Sequence, residues 1–312
     1  MGAKVLVTGG TGSFGKSFIA RLLSSAVAEV RAMSRDEQKH VELRRRFADL
    51  RLKSYIGDVR DYDACIRACH GCTHVFHAAA MKHVDVVERI PWEGVLTNVM
   101  GTWNMLRAAD ATGVWRFVGI STDKAVEPIN AYGMTKGLQE KLLTAHQSLQ
   151  VEPMRVTAVR YGNVWSSNGS VVPFFRNLLE TGATKLPITH PDMTRFILTL
   201  AQAVDLVLLA AQAPHGALLV PHLKALRIVD LADEMLVACG QQRGSYDIVG
   251  IRPGEKIHET LLSLDELRRA TTYDTYHQVG MTYCNEALKP FTSEWADRMS
   301  AKEIGDMLWR AA

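Results

Sequence analysis

Short apolar runs alternate with segments of helical period through the first half of the chain. Residues 4–8, 29–33, 52–56, 75–77, 117–121 and 156–161 read as strands, and amphipathic stretches over 93–111 and 131–149 read as the clearest helices. Strand–helix alternation of this kind predicts an α/β protein with a doubly wound parallel sheet. After Tyr161 the alternation becomes irregular, punctuated by Pro173, Pro187, Pro191, Pro214, Pro221 and Pro253. That change predicts a smaller C-terminal α/β unit. Residues 200–213 and 217–220 are apolar enough to return to the main sheet. The expected division is therefore 1–162 with return segments at about 196–221, then 163–195 together with 222–312.

Composition narrows the class. The 312 residues are 47% hydrophobic and 22% charged, as in an ordinary globular protein, with length for one large or two smaller domains. A net charge of +3 is too mild to point to nucleic acid or an acidic membrane. The run Arg44-Arg45-Arg46 has acidic neighbours and reads as a solvated helix face. No apolar stretch has the length of a membrane span, and the first residues run straight into a strand, so a cytoplasmic protein is expected. Cys65, Cys69 and Cys72 with His70 and His74 lack the second ligand pair of a structural zinc site and read as a helix entering a strand. No metal is expected, and Cys239 and Cys284 have no partner nearby in sequence.

The first strand runs into Gly9-Gly10-Thr11-Gly12-Ser13-Phe14-Gly15 and then a helix. Glycines let a backbone turn tightly and approach a pyrophosphate, which then rests on the helix N-terminus. With a strand before it and a helix after it, the pattern predicts a dinucleotide site. The second strand ends in Ser34-Arg35-Asp36-Glu37-Gln38-Lys39. Ser34 can donate a hydrogen bond, Arg35 offers a planar fork suited to phosphate, and Lys39 adds charge, which together predict NADP over NAD. Asp36 lies one residue beyond the usual acidic position and either joins this site or caps the next helix. Asp58 is placed to accept from an adenine amine, and Ala78-Ala79-Ala80 leave room for the cofactor.

The segment from Ser121 to Lys136 reads S-T-D-K-A-V-E-P-I-N-A-Y-G-M-T-K. Tyr132 and Lys136 lie one helical turn apart on one face, where an ammonium would lower the phenol's pKa and make it a base for an alcohol. Asp123 and Lys124 are expected to bring a carboxylate and an amine to the same pocket. Simple alcohol oxidation needs no second acid/base pair, whereas elimination of water does.

These motifs resemble the extended short-chain dehydrogenase/reductase superfamily, and more narrowly its inverting UDP-N-acetylglucosamine 4,6-dehydratases. The likeness runs through T-G-G-T-G-S-F-G-K, S-R-D-E-x-K, I-G-D-V-R-D, H-A-A-A-x-K-H-V, S-T-D-K-A-x-x-P-I-N-x-Y-G-x-T-K, R-Y-G-N-V, G-S-V-V-P-F-F, P-I-T-x-x-x-M-T-R-F and I-R-P-G-E-K-x-H-E. The resemblance implies a Rossmann NADP-binding domain followed by a nucleotide-sugar-binding domain. It implies cofactor contacts at Thr11 to Phe14, Ser34 to Lys39, Asp58, Val59, Ala78, Tyr132, Lys136 and Val164. It implies substrate contacts at Lys82, Asn163, Val171, Thr189, Arg195, Arg252 and Glu255. Asn168 stands where the family commonly has arginine, and His190 where it has aspartate.

The activity this resemblance implies is an NADP-dependent 4,6-dehydratase acting on UDP-N-acetylglucosamine with inversion at C5. Its catalytic residues would be Tyr132 with Lys136, for oxidation at C4, and Lys124 with Asp123, for C5 deprotonation and loss of the C6 hydroxyl. Lys124 would act as a neutral amine, its pKa lowered by burial or by Lys136 nearby. The alternatives are a 4-epimerase, a dehydratase that also epimerises C3, a dehydratase for a GDP-linked or modified amino sugar, or a silent NADP-binding sensor or scaffold. The resemblance also implies a homo-oligomer paired through the two long helices, with Val95, Val99, Met105, Leu138 and Leu142 as candidate contacts.

Overall fold

The computed structural model describes residues 2–146, 153–167, 169–280, 282 and 290–310. Asn168, Cys284 and the end of the helix expected to reach 149 lie outside them. The six expected strands form as β1 (Lys4–Thr8), β2 (Glu29–Ser34), β3 (Leu52–Ile56), β4 (His74–His77), β5 (Arg116–Ile120) and β6 (Arg155–Val159). With the strand Leu218–Pro221 they make a parallel sheet in the order Leu218–Pro221, β6, β5, β4, β1, β2, β3. This is the doubly wound arrangement. Val5, Leu6 and Val7 of β1 are all buried, so both faces of the sheet are covered and the strand reads as a continuous apolar run.

Helices Ser13–Leu23 and Leu200–Ala210 pack together, as do Tyr62–Cys69 and Gly101–Ala111. Tyr276–Val279 then adds antiparallel to Leu218–Pro221, with Ala270–Thr272 outside it. This edge hairpin comes from the 222–312 stretch that the sequence assigned to the second unit. Its strands are short and mostly polar, so their periodicity carries little signal.

A second hydrophobic cluster gathers Trp165, Phe175, Leu186, Ile188, Leu226, Leu231 and Leu236, with Ile304 from the last helix. Around it lie helices Val171–Glu180 and Ile228–Ala238 and the parallel pair Leu186–Ile188 with Tyr246–Ile248. Cys65, Cys69 and Cys72 belong to the main core. Burial pushes the Cys65 thiol up to about 12 and the Cys72 thiol up to about 11, which keeps both protonated. Among the described residues no helix is long and apolar enough to cross a membrane.

The helix expected over 93–111 is interrupted. Pro91–Gly94 is α-helical, Val95–Met100 is π-helical and Gly101–Ala111 is α-helical again. Hydrophobic spacing registers a helix but not the wider i→i+5 turn. Asn98 within this turn is buried, and its amide accepts from Met81 N (2.8 Å) and donates to Met81 O and Thr135 Oγ1 (both 3.0 Å). Val99 and Met105, expected to face a partner, are buried in this chain. The exposed apolar residues of the two long helices are Trp92, Met100, Trp103, Met134 and Leu138.

One buried charge network fastens the helix Ala131–Thr144 to the C-terminal part of the chain. Arg160, 2% exposed, follows β6 and reaches Glu140 on that helix through Nε (2.9 Å) and Nη2 (2.6 Å). It also reaches both carboxylate oxygens of Glu266 and the Leu261 carbonyl. Arg160→Met keeps much of the bulk but leaves the buried Glu140 and the partly buried Glu266 without their cation. Breaking such a network typically costs about 3–5 kcal/mol. Urea denaturation of Arg160→Met should show a loss of that size, and a change below about 1 kcal/mol would mean the network contributes little.

Candidate active site

A cleft of about 870 Å³ opens at the carboxyl ends of the parallel strands, where doubly wound sheets bind ligands. The loop after β1 builds one end. Gly9 adopts φ +67°, and a Cβ there would lie 2.9 Å from the Ala78 backbone, so this turn needs glycine. The helix Ser13–Leu23 begins at Gly12, which offers no side-chain cap, and its first turn carries no acidic residue. Its N-terminal dipole is therefore left to attract an anion in the cleft. Thr11, Ser13, Phe14 and Gly15 line the same end.

Ser34, Arg35 and Lys39 line the next stretch of wall. Thr11 Oγ1 donates to Ser34 Oγ (3.0 Å), and the buried His40 ring holds Ser34 Oγ from behind at 2.9 Å. Asp36 is not on the wall. Its carboxylate caps the following helix by accepting from Lys39 N at 3.0 Å and pairs with Lys39 Nζ at 2.9 Å. Of the two roles open to Asp36, the cap is the one it fills. Asp58, paired with Arg60, and Val59 lie beyond, followed by Ala78, Ala79, Ala80 and Val164. Glycine approach, an uncapped helix start and two cations beside Ser34 together fit a dinucleotide.

The other end of the cleft carries Lys124, Tyr132 and Lys136, with Lys82, Asn163, Arg252 and Glu255 around them. Tyr132 and Lys136 project from the helix Ala131–Thr144, capped by Asn130 Oδ1, which accepts from Gly133 N at 2.7 Å. Lys124 belongs to the 3₁₀ turn Asp123–Ala125 that follows β5. Gly133 lets these elements meet, since a Cβ there would stand 2.2 Å from the Lys124 carbonyl oxygen.

The electrostatics differ from expectation in three ways. Lys136 spends its amine on other acceptors in this arrangement. Its amine donates to the Ile120 carbonyl (2.6 Å) and to Gln139, and burial pushes its pKa down to about 7 against the pull of Glu140. Burial pushes the Tyr132 phenol up to about 12, opposed by the Lys124 ammonium and a hydrogen bond with Thr122. Lys124 is the reverse of what the sequence suggested. Burial alone would lower it, but Asp123 and Glu259 outweigh burial and hold its pKa above the ordinary lysine value. Its amine donates to Asp123 Oδ1 at 3.0 Å, pairs with Glu259 Oε1 at 3.2 Å and reaches Asn163 Oδ1 at 3.4 Å.

Four further expectations need correcting. Asp123 is fully buried behind Lys124 and does not line the cleft. Its Oδ1 also accepts from Thr122 Oγ1 at 2.9 Å, and its Oδ2 has no partner among the described residues. Arg195 is spent internally, donating to the carbonyls of Thr194, Lys256 and Ile257 and lying 3.8 Å from Glu259. Thr189 is buried, with its hydroxyl 3.1 Å from Met193 Sδ, and Val171 packs on the second hydrophobic cluster. The resemblance gave motif positions, and a motif position does not say which way a side chain faces. Glu259, Thr122, Gln139 and Asn98 were missed. Glu259 ends the quoted I-R-P-G-E-K-x-H-E motif, but nothing in that motif names Lys124 as its partner.

The model of the polysaccharide biosynthesis protein family matches residues 5–281. A protein of Rickettsia massiliae named UDP-glucose 4-epimerase is 38% identical to this chain, covering 97% of it and 94% of the relative. Pen from Bacillus thuringiensis superposes with a TM-score of 0.93 at 33% identity, covering 99% of this chain and 97% of that one. DesIV from Streptomyces venezuelae, a dTDP-glucose 4,6-dehydratase solved with NAD and TYD bound, has a TM-score of 0.75 at 25% identity, with 81% and 86% covered.

Proposed function

Because the chain belongs to the polysaccharide biosynthesis protein family and has the extended short-chain dehydrogenase/reductase fold of nucleotide-sugar enzymes, we propose that it is an NADP-dependent nucleotide-sugar 4,6-dehydratase. The substrate in this reading is UDP-N-acetylglucosamine and C5 is inverted. The observation that carries it is the Lys124 amine on the cleft wall beside Tyr132, backed by a buried carboxylate. Epimerisation at C4 has no use for a second acid/base group.

The cofactor would be held by the Gly9–Gly15 loop, Ser34, Arg35, Lys39, Asp58 and Ala78, and would supply reversible hydride acceptance, from C4 and back to C6. Tyr132 first releases its phenol proton to the water of the open cleft, and the phenolate, stabilised by the Lys124 ammonium and by Thr122, then takes the C4 hydroxyl proton. The resulting ketone acidifies the C5 proton. Lys124 then passes a proton to Asp123 across their 3.0 Å hydrogen bond, and the freed amine takes the proton from C5. The ammonium so formed protonates the departing C6 hydroxyl, which leaves as water, and Asp123 returns its proton to Lys124. The proton removed from the C4 hydroxyl balances the one delivered to C5 on the opposite face. Arg252 and Glu255, paired at 3.3 Å on the cleft rim, are suited to a diphosphate oxygen and a ribose diol.

A second reading, UDP-sugar 4-epimerase, is favoured by the name of the Rickettsia relative. Incubation with UDP-N-acetylglucosamine in deuterated water, followed by NMR, separates the two. The dehydratase gives a 4-keto-6-deoxy sugar with deuterium at C5, whereas an epimerase gives the C4 epimer with C6 oxygenated. Lys124→Met should lower the dehydratase rate by about a hundredfold to ten-thousandfold. A variant that still exchanges C5 at near wild-type rate would remove Lys124 from the mechanism.

NADP preference rests on Ser34, Arg35 and Lys39 lining one wall. Arg35→Ala should weaken NADP by about 1.5–3 kcal/mol while leaving NAD nearly unchanged, measured by titration calorimetry. Equal losses for both dinucleotides would show that Arg35 reads no ribose phosphate.

Assembly as a dimer or larger is supported by exposed Trp92, Met100, Trp103, Met134 and Leu138 on the two long helices. Sedimentation velocity at micromolar concentration should report at least a dimer. A monomer there would end the idea.

A further inference from the structure

The cluster behind Lys124 has a member that the reaction itself does not require. Glu259 is 2% exposed and stands off the cleft wall. Its backbone is clamped on both sides, N–H donating to Ser293 Oγ at 2.8 Å and the carbonyl accepting from Ser293 N at 2.8 Å. One carboxylate oxygen faces Lys124 Nζ at 3.2 Å, and the other has no hydrogen-bond partner among the described residues. Burying a carboxylate with a bare oxygen is costly, so a compensating interaction at this position is required. Lys124 provides it.

We propose that Glu259 is the positioning residue of Lys124, holding its amine at the cleft wall as an ammonium and tying that charge to the turn that bears Arg252 and Glu255. The charges around the amine support that form. Asp123 Oδ1 and Asn163 Oδ1 accept from Nζ at 3.0 and 3.4 Å, and Glu259 Oε1 forms an ion pair with it at 3.2 Å, so the amine faces two buried carboxylates. The charged groups around Lys124 are Asp123 and Glu259, which hold its proton, and Arg195, which opposes them. Tyr132 and Lys256 also feel its charge.

The tie to the binding turn is covalent and short. Glu259 closes a segment whose Gly254 carbonyl accepts from Asn130 Nδ2 at 2.7 Å and whose Lys256 amine donates to the Val126 carbonyl at 2.8 Å. The same segment supplies the Lys256 and Ile257 carbonyls that occupy Arg195, and so keeps that guanidinium from pairing more closely with Glu259. The turn that bears Arg252 and Glu255 is thereby held in the same anchored segment as the carboxylate on Lys124.

The contacts stand whatever the reaction, and this inference rests on the dehydratase reading only for what Lys124 does in turnover. The test uses the full chain without substrate. The rate at which acetic anhydride acetylates Lys124 at a fixed mildly alkaline pH, read by peptide mass spectrometry, follows the fraction of free amine, with exposed Lys53 as the internal standard. Removing an opposite charge at this range shifts a lysine by about one to three pH units, so Glu259→Gln should raise the Lys124 rate about tenfold to a thousandfold. Glu259→Asp keeps the charge but retreats by one methylene and should fall between wild type and Gln. If Gln prevents folding, as judged by thermal melting, the rise in Asp alone decides. Unchanged labelling in the folded variants overturns the proposal. Faster labelling in a protein that makes no 4-keto-6-deoxy product supports the positioning role and rejects the dehydratase reading instead.

Discussion

The site depends on one close packing. The first turn of the helix Ala131–Thr144 lies so near the backbone of Lys124 that a Cβ on Gly133 would stand 2.2 Å from the Lys124 carbonyl oxygen. That approach places a phenol from a helix and an amine from a strand-end turn on the same wall. Asn130 fixes its start by capping the helix and reaching the Gly254 carbonyl, and Arg160 fixes its far side through Glu140. Each restraint is a directional hydrogen bond in a buried setting, where loss of one partner strands the other.

Charge is then distributed by depth. Deepest lie Asp123 and Glu259, both sealed from the cleft, with Lys124 in front of them as their shared cation. Tyr132 stands beside that cation with its phenol pushed up to about 12, while Lys136 behind it is pushed down to about 7 by burial. Here the wall presents the Lys124 ammonium beside a protonated phenol. In the proposed reaction Lys124 becomes the base by passing its proton into the buried Asp123 carboxylate, with no loss of charge balance in the cluster.

Much of this was legible in the sequence because its signals are local. The apolar run Val5–Val7, the glycine loop after it, and the Tyr132–Lys136 spacing each express a rule that acts within a few residues, and the last two lie on the cleft. The misses all concern distance or direction. Asp36 and Arg195 carry the right chemistry but spend it on a helix cap and on carbonyls. The π turn at Val95–Met100 keeps a helical period, so spacing could not separate it from an α-helix. Asp123 and Glu259 together invert the expected behaviour of Lys124, and Glu259 comes from just before the strand Thr260–Leu262, so only the fold brings it to Lys124.

The central claim is that Lys124 and its carboxylates make this cleft an eliminating one. Substrate carrying deuterium at C4 traces the hydride directly by mass spectrometry and NMR of the product. Elimination moves that deuterium to C6 of the same sugar, leaving a ketone at C4 and no oxygen at C6, and this is the result the site predicts. Deuterium retained at C4 in an epimerised sugar, with the C6 hydroxyl intact, would contradict it.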